Sequence, residues 1–314
     1  MKKMLIMLLT LGLIISASSC QSPQSSPASS ISPSATSITG STQTAQNSPD
    51  PSQPSAELPK YNVNNIVGVD QFGRTFDIIG GEKSEKQVGM FYFLWLGHPL
   101  FSGVYDATKI SNEYGQDALF HQTSDISPEG QFHFWGEPLY GYYNSGDEYV
   151  IRKHIELLIT AGVDFLVFDS TNAYTYDEVH QKIMKIIDEY LKAGWNAPKV
   201  AFYTHSYSIQ TANKLYENVY KANYYPNTWY LVDGKPLIIA YTDPADDMAE
   251  AQSRGDSSYK PQEFSQEFLD FFTIKRPQWP SDPTYADGFP WMEWTYPQPE
   301  HNGIMNVSVA AHPG

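Results

Sequence analysis

The chain is expected to fold as an α/β protein, a (β/α)8 TIM-barrel-like domain with about six or seven of its eight strands, after a disordered N-terminal leader and linker. Three observations carry that expectation. From Lys60 onward, short apolar runs alternate with amphipathic helical patterns, as in parallel strands joined by crossover helices. Polar and aromatic side chains recur at the ends of the apolar runs, and 60–314 approaches the roughly 250 residues usual for such barrels. Neither G-x-G-x-x-G nor G-x-x-x-x-G-K-[ST] occurs, so no phosphate-binding loop argues for the alternative, a doubly wound sheet.

Residues 1–19 read as a signal peptide rather than as fold. Lys2 and Lys3 precede an apolar run from Met4 to Ile15, then small residues follow; the run is too short for a membrane span. Cys20 is the single cysteine of the 314-residue chain and sits where the leader ends, in "ASSC", with Ala17 where a lipobox usually has Leu. Lipidation at Cys20 is the first expectation; a secreted protein that loses Cys20 with its leader is the other. Residues 20–59 are Ser-, Pro- and Thr-rich with almost nothing to bury, a linker spanning about 30–40 Å as a flexible coil. The expected location is the bacterial cell envelope, lipid-anchored and extracytoplasmic, with residues 60–314 held off the membrane. With no later cysteine, disulfides and thiolate metal sites are excluded there.

In order, strands are expected at "VGMFYFLWLG" (88–97), "VDFLVFDS" (163–170), "PKVAFYTH" (198–205), the hairpin "TWYLVDGKPLIIAYTD" (228–243), "GFPWMEW" (288–294) and "IMNVSVAAH" (304–312). Helices are expected at 147–162 and 176–194, each closed by a glycine, and at 209–222 and 261–273. The segment 98–146 would be a long first βα loop. Its aromatic residues, including Trp135 and Tyr142, suit a binding wall.

The net charge of −15 falls on residues 60–314, because Lys2 and Lys3 balance Asp50 and Glu57. That field disfavours nucleic acid. Aromatic content of 14% suits stacking on flat ligands such as sugar rings, or simply a large core. Glycoside hydrolysis needs two carboxyl groups across a bond, and Asp169 and Glu293 are the candidates. Asp169 ends "FLVFD"; capping the next helix is its other reading. Glu293 lies beside Trp291, where apolar neighbours would raise its pKa; a rim salt bridge is its other reading. His205, Tyr241 and Asp243 at strand ends are candidate binding groups. His205, His312 and Asp169 match no metal-ligand spacing, so neither metal nor cofactor is expected. No G-x-S-x-G elbow points to a serine hydrolase.

Three stretches resemble glycoside hydrolase family 99 and its relative, family 71. "MFYFLWLGHP" resembles the family's opening strand. "FWGEPLYGYYNSGDEYVIRKHIELLITAGVDFLVFDS" resembles its loop, helix start and A-G-[IV]-D strand entry, and "DGKPLIIAYTD" its G-K-P strand. The resemblance covers most of 88–245 and implies a (β/α)8 barrel with endo-α-mannosidase or α-glucanase activity. It places Tyr92, Trp95 and His98 against the sugar. The family's late W-N-E-W-x-E-G motif has only a partial counterpart in "PWMEWTYPQPE", where Tyr296 replaces the second Glu. The expectation is a C-terminally truncated barrel. Function is then a membrane-anchored glycoside hydrolase-like protein acting on a polysaccharide or glycan, or a non-catalytic glycan-binding lipoprotein.

Overall fold

The computed structural model describes residues 69–75, 85–97, 103–120, 125–295 and 297–308. The leader, Cys20, the linker, His98 and His312 lie outside them. The chain runs β1 (Gly89–Tyr92), β2 (Tyr105–Asp106), α1 (Ala107–Tyr114), α2 (Asp117–Phe120), β3 (His133–Phe134) and α3 (Glu148–Thr160). It continues through β4 (Phe165–Ser170), α4 (Asp177–Lys192), β5 (Lys199–Thr204), α5 (Ser208–Leu215) and a π-helical turn, Tyr216–Lys221. Then come β6 (Leu231–Val232), β7 (Lys235–Ile239), α6 (Pro244–Ser253), α7 (Gln266–Phe271), β8 (Thr273–Gln278) and β9 (Gly288–Pro290). A small hairpin of β10 (Glu300–His301) and β11 (Ile304–Met305) follows.

Strands β1-β4-β5-β7-β8-β9 form one curled, all-parallel sheet, a partial (β/α) barrel, with β6 added antiparallel to β7. Strand β4 is buried along its whole length because both of its faces are covered. Side chains therefore split by parity into two cores. Leu166, Phe168, Val200, Phe202 and Ile238 meet the helices on the convex side. Phe165, Val167, Ala201, Tyr203, Leu237, Ile239 and Phe289 fill the concave side.

The helices follow from their caps and stripes. Asp147 accepts the Val150 N–H at the start of α3, which buries Val150, Ile151, Ile155 and Leu158. The glycine stops expected at Gly162 and Gly194 are present with φ of 72° and 86°. In each, the next residue's N–H reaches back, Val163 to Leu158 and Trp195 to Tyr190, closing the helix. Helices α4 and α5 begin differently. Tyr176 and Tyr207, with φ of 52° and 48°, stand in left-handed backbone just before them and make no side-chain cap. The Tyr176 ring nevertheless joins the convex core, and Tyr207 donates to Asp256 at 3.1 Å.

Five points differ from expectation. The helix expected at 261–273 spans only Gln266–Phe271. The segment 98–146 is not a bare loop: its described residues carry β2, β3, α1 and α2. The strand at 288–294 ends at Pro290. Of the run 304–312, only Ile304–Met305 is strand, paired back onto Glu300–His301, and 309–314 lie outside the described residues. Strand β8, "TIKRPQ", was not expected, because it shows neither an apolar run nor alternation and contains Pro277. It forms because β7 and β9 supply neighbours on both edges.

Candidate functional site

The concave parity places one set of side chains at or just past the C-terminal ends of the parallel strands. They are Asp169 on β4, Tyr203 and His205 at β5, Tyr241 after β7, Trp279 after β8 and Trp291 after β9. Three of them stack. The His205 ring lies 4.1 Å from Trp279 with the planes 30° apart, and Trp279 lies 4.2 Å from Trp291 at 7°. Trp279 is the middle of a column of three flat rings. Tyr241 leans on His205 at 5.6 Å.

Tyr203 forms the floor beneath. It is wholly buried, and its hydroxyl accepts the Gln278 N–H and donates to the Phe289 carbonyl, each at 3.0 Å. One side chain from β5 thereby ties β8 to β9. Burial pushes the Tyr203 phenol up despite the Gln278 bond, and the charges of Asp282 and Asp169 add to that. Asp169 is 6% exposed and its Oδ1 accepts the Thr171 N–H at 3.0 Å. That bond closes a local turn and is not the helix cap expected as the alternative, because α4 starts only at Asp177 with Tyr176 at its N-cap and no side-chain cap; it leaves Oδ2 of the carboxylate for other donors.

On the rim, Arg276 donates to Asp246 at 2.7 Å and lies 3.8 Å over the Tyr285 ring. From α6, Glu250 places Oε1 3.4 Å from His205 Nδ1 and 3.1 Å from Ser206 Oγ, with its side chain 8% exposed. Sequence reasoning missed Trp279 and Glu250. Trp279 carries the signal that found the others, an aromatic residue directly after a strand, but its strand was unseen. Glu250 lies mid-helix, where an acid looks like a solvated face.

Glu293 belongs to a different cluster. Its Oε2 meets His301 Nε2 at 2.9 Å, and Oε1 accepts the N–H groups of Trp294 and Thr295. Burial alone would raise its pKa, but the His301 hydrogen bond and the two backbone donors outweigh it, so the carboxyl is held below its usual range. The expected raised value is thus reversed. The reason is that the strand stops at Pro290, so the carboxylate turns into a polar hairpin and not against Trp291, whose ring faces Trp279 instead.

A group whose folded pKa is depressed contributes stability above its unfolded value and loses it as pH falls through the folded one. Melting temperature should therefore fall between about pH 5 and pH 3, with a shallower fall in Glu293→Gln. Thermal melts of both proteins check this; parallel curves would refute it.

The other expected site residues are dispersed. Tyr92 faces the convex side, where its hydroxyl meets His154 Nδ1 at 2.9 Å beside a cleft of about 260 Å³. Trp95 packs edge-on against Phe93 and Phe132. Tyr142 donates to Asp106 at 2.6 Å, and Trp135 is 91% exposed. Asp243 caps α6 by accepting the Ala245 N–H at 2.8 Å. Among the described residues, no group of three His, Cys, Asp or Glu side chains converges as metal ligands.

No protein-family model matches the chain, and no curated protein matches it. Two solved structures of a glycoside hydrolase family 99 endo-alpha-mannosidase from Bacteroides thetaiotaomicron are similar. One, in complex with BIS-TRIS-propane, is 19% identical over 51% of this chain and 45% of its own, with a TM-score of 0.31. The other is 20% identical over 60% and 54%, with a TM-score of 0.34. The likeness is distant, and the chain spans about half the length of those structures.

Proposed function

We propose that this chain is a lipid-anchored, extracytoplasmic glycoside hydrolase-like protein that binds a polysaccharide or glycan at the C-terminal mouth of its sheet. The observation that carries the reading is the stack of His205, Trp279 and Trp291 above Tyr203, with the Asp169 carboxylate at the same end of the sheet. Flat aromatic faces take the apolar face of a sugar ring, while carboxylate, imidazole and phenol groups exchange hydrogen bonds with its hydroxyls. Asp169 is the acid assigned to that mouth.

A second reading, a non-catalytic glycan-binding lipoprotein, is favoured by Glu293. Two-carboxylate hydrolysis needs both carboxyl groups free to face one bond, and both oxygens of Glu293 are already engaged, by His301 and two N–H donors. Calorimetric titration with an oligosaccharide panel, with chromatography of the same mixtures, tests both readings. Binding with cleavage products supports the hydrolase; binding without them supports the second reading. No binding across neutral, acidic and amino-sugar oligosaccharides overturns both.

Residues 1–19 are assigned as signal peptide, Cys20 as the lipidated residue and 20–59 as the linker before a domain at 60–314. Cys20→Ser is expected to move the protein from the membrane pellet to the soluble fraction or to block processing. A cleaved variant still extractable only by detergent would remove the anchor.

A further inference from the structure

We infer that Glu250 is a positioning residue for His205: it holds the imidazole with the proton on Nδ1 and turns the Nε2 lone pair toward the mouth. The inference rests on the site proposed above. In an imidazole, the hydrogen bond made by one nitrogen decides which nitrogen carries the proton. Glu250 Oε1 is the carboxylate oxygen beside His205 Nδ1, 3.4 Å away. The two nitrogens of the ring point in different directions, so an Nδ1–H directed at Glu250 leaves Nε2 to accept from a ligand hydroxyl. The ring also packs against Trp279 at 4.1 Å and Tyr241 at 5.6 Å, which limits its tilt.

The surroundings of Glu250 favour this role over a plain surface ion pair. Its side chain is 8% exposed, although it sits on a helix with exposed neighbours. Arg254, one turn on, comes no closer than 3.8 Å to Oε1 and donates instead to Ser206 Oγ at 2.6 Å. Ser206 Oγ in turn donates to Glu250 Oε1 at 3.1 Å. Glu250 Oε2 is buried and has no hydrogen-bond partner. A carboxylate with one oxygen unengaged has freedom to rotate and shorten the 3.4 Å contact when a ligand seats. Such contacts are commonly long in a free site and tighten on binding. The other titratable groups within its electrostatic reach are Asp247, Tyr207, Tyr241 and Tyr259. Of all these groups, His205 alone packs its ring on Trp279.

The test is 15N NMR of the imidazole nitrogens in the full chain, with the His205 signals assigned by loss in His205→Gln. Measured above the titration of the ring, the wild-type spectrum is expected to show Nδ1 protonated; a spectrum with Nε2 protonated overturns the inference. This measurement needs no variant of Glu250 and no ligand. Glu250→Ala is then expected to move the proton to Nε2, the form a solvated imidazole prefers, while Glu250→Gln keeps it on Nδ1 through its amide oxygen. Retention of Nδ1–H in Glu250→Ala overturns the inference as well. For an oligosaccharide that binds the wild type, affinity should fall about tenfold in Glu250→Ala and by less than about threefold in Glu250→Gln. Equal losses in the two variants count against positioning. Failure of every oligosaccharide to bind would refute the glycan reading and leave the tautomer result standing on its own.

Discussion

Trp291→Ala is expected to weaken oligosaccharide binding by about 1–3 kcal/mol, the scale of a lost aromatic anchor, beyond the stability it loses as a ring packed against the concave core. Trp291 is the end ring of the column, and the face it turns toward Trp279 is already covered at 4.2 Å. Its opposite face is the one the proposed site offers to a sugar. Trp279→Ala removes the middle ring instead. It should cost a similar amount by a different route, since Trp291 loses the plane that orients it and His205 loses its support. The two losses should therefore be non-additive in the double variant, because either change dismantles the same column. Calorimetry on the single and double variants decides this. Additive losses would mean that the indoles act separately; an unchanged affinity in both would place the ligand elsewhere. If turnover is found, comparison of kcat with kcat/KM shows whether the column also acts in the transition state.

Asp247→Ala should destabilise the domain by about 3 kcal/mol or more, a large share of any domain's stability. Asp247 lies on α6 and is fully buried. Its carboxylate accepts the N–H of Ser208 at 2.7 Å, the N–H of Ile209 at 3.3 Å and the Tyr259 hydroxyl at 2.8 Å. Ser208 and Ile209 open α5, which has no side-chain cap of its own, so Asp247 caps one helix from another. Alanine leaves two helix-end donors and a phenol without a partner. Asp247→Asn keeps one acceptor oxygen and should cost about half as much. Urea unfolding at neutral pH measures both. A loss below about 1 kcal/mol in Asp247→Ala, with an unchanged m-value, would show that solvent or neighbours satisfy those donors. The consequence for the site is direct: α5 follows His205 and α6 carries Glu250, and Asp247 joins the two.

Much of the scaffold was legible because its strands are buried on both faces. "FLVFDS", "KVAFYT" and "KPLII" announce themselves as apolar runs, and Gly162 and Gly194 mark the helix ends. Strand β8 was illegible for the opposite reason. Its Thr273, Lys275 and Arg276 are half-buried, with Thr273 and Arg276 engaged in specific pairs, so the sequence shows no hydrophobic signature. The site inherited that gap. His205, Tyr241, Asp169 and Trp291 stood at visible strand ends, whereas Trp279 depended on the unseen strand. Glu293 shows the other limit. A period-two reading assigns it to a face only while the strand lasts, and the strand stops three residues earlier. Its partner, His301, comes from the hairpin of β10 and β11, a pairing that no local pattern encodes.

The two tyrosines in left-handed backbone, Tyr176 and Tyr207, bear on how this chain can change over generations. At such φ values glycine and asparagine are the easy substitutes. Either would relieve the main chain and discard a ring: at 176 one that the convex core holds, at 207 one whose hydroxyl reaches Asp256 and whose edge meets Tyr259 at 4.7 Å. A β-branched residue would keep neither benefit. Each position therefore answers to two unrelated demands, a backbone shape and a side-chain partner, that glycine and asparagine do not meet together. Drift at 176 and 207 is confined to paths in which the loop and the partner of the ring change in the same lineage, so these loops are poorer sites for neutral variation than their exposed neighbours.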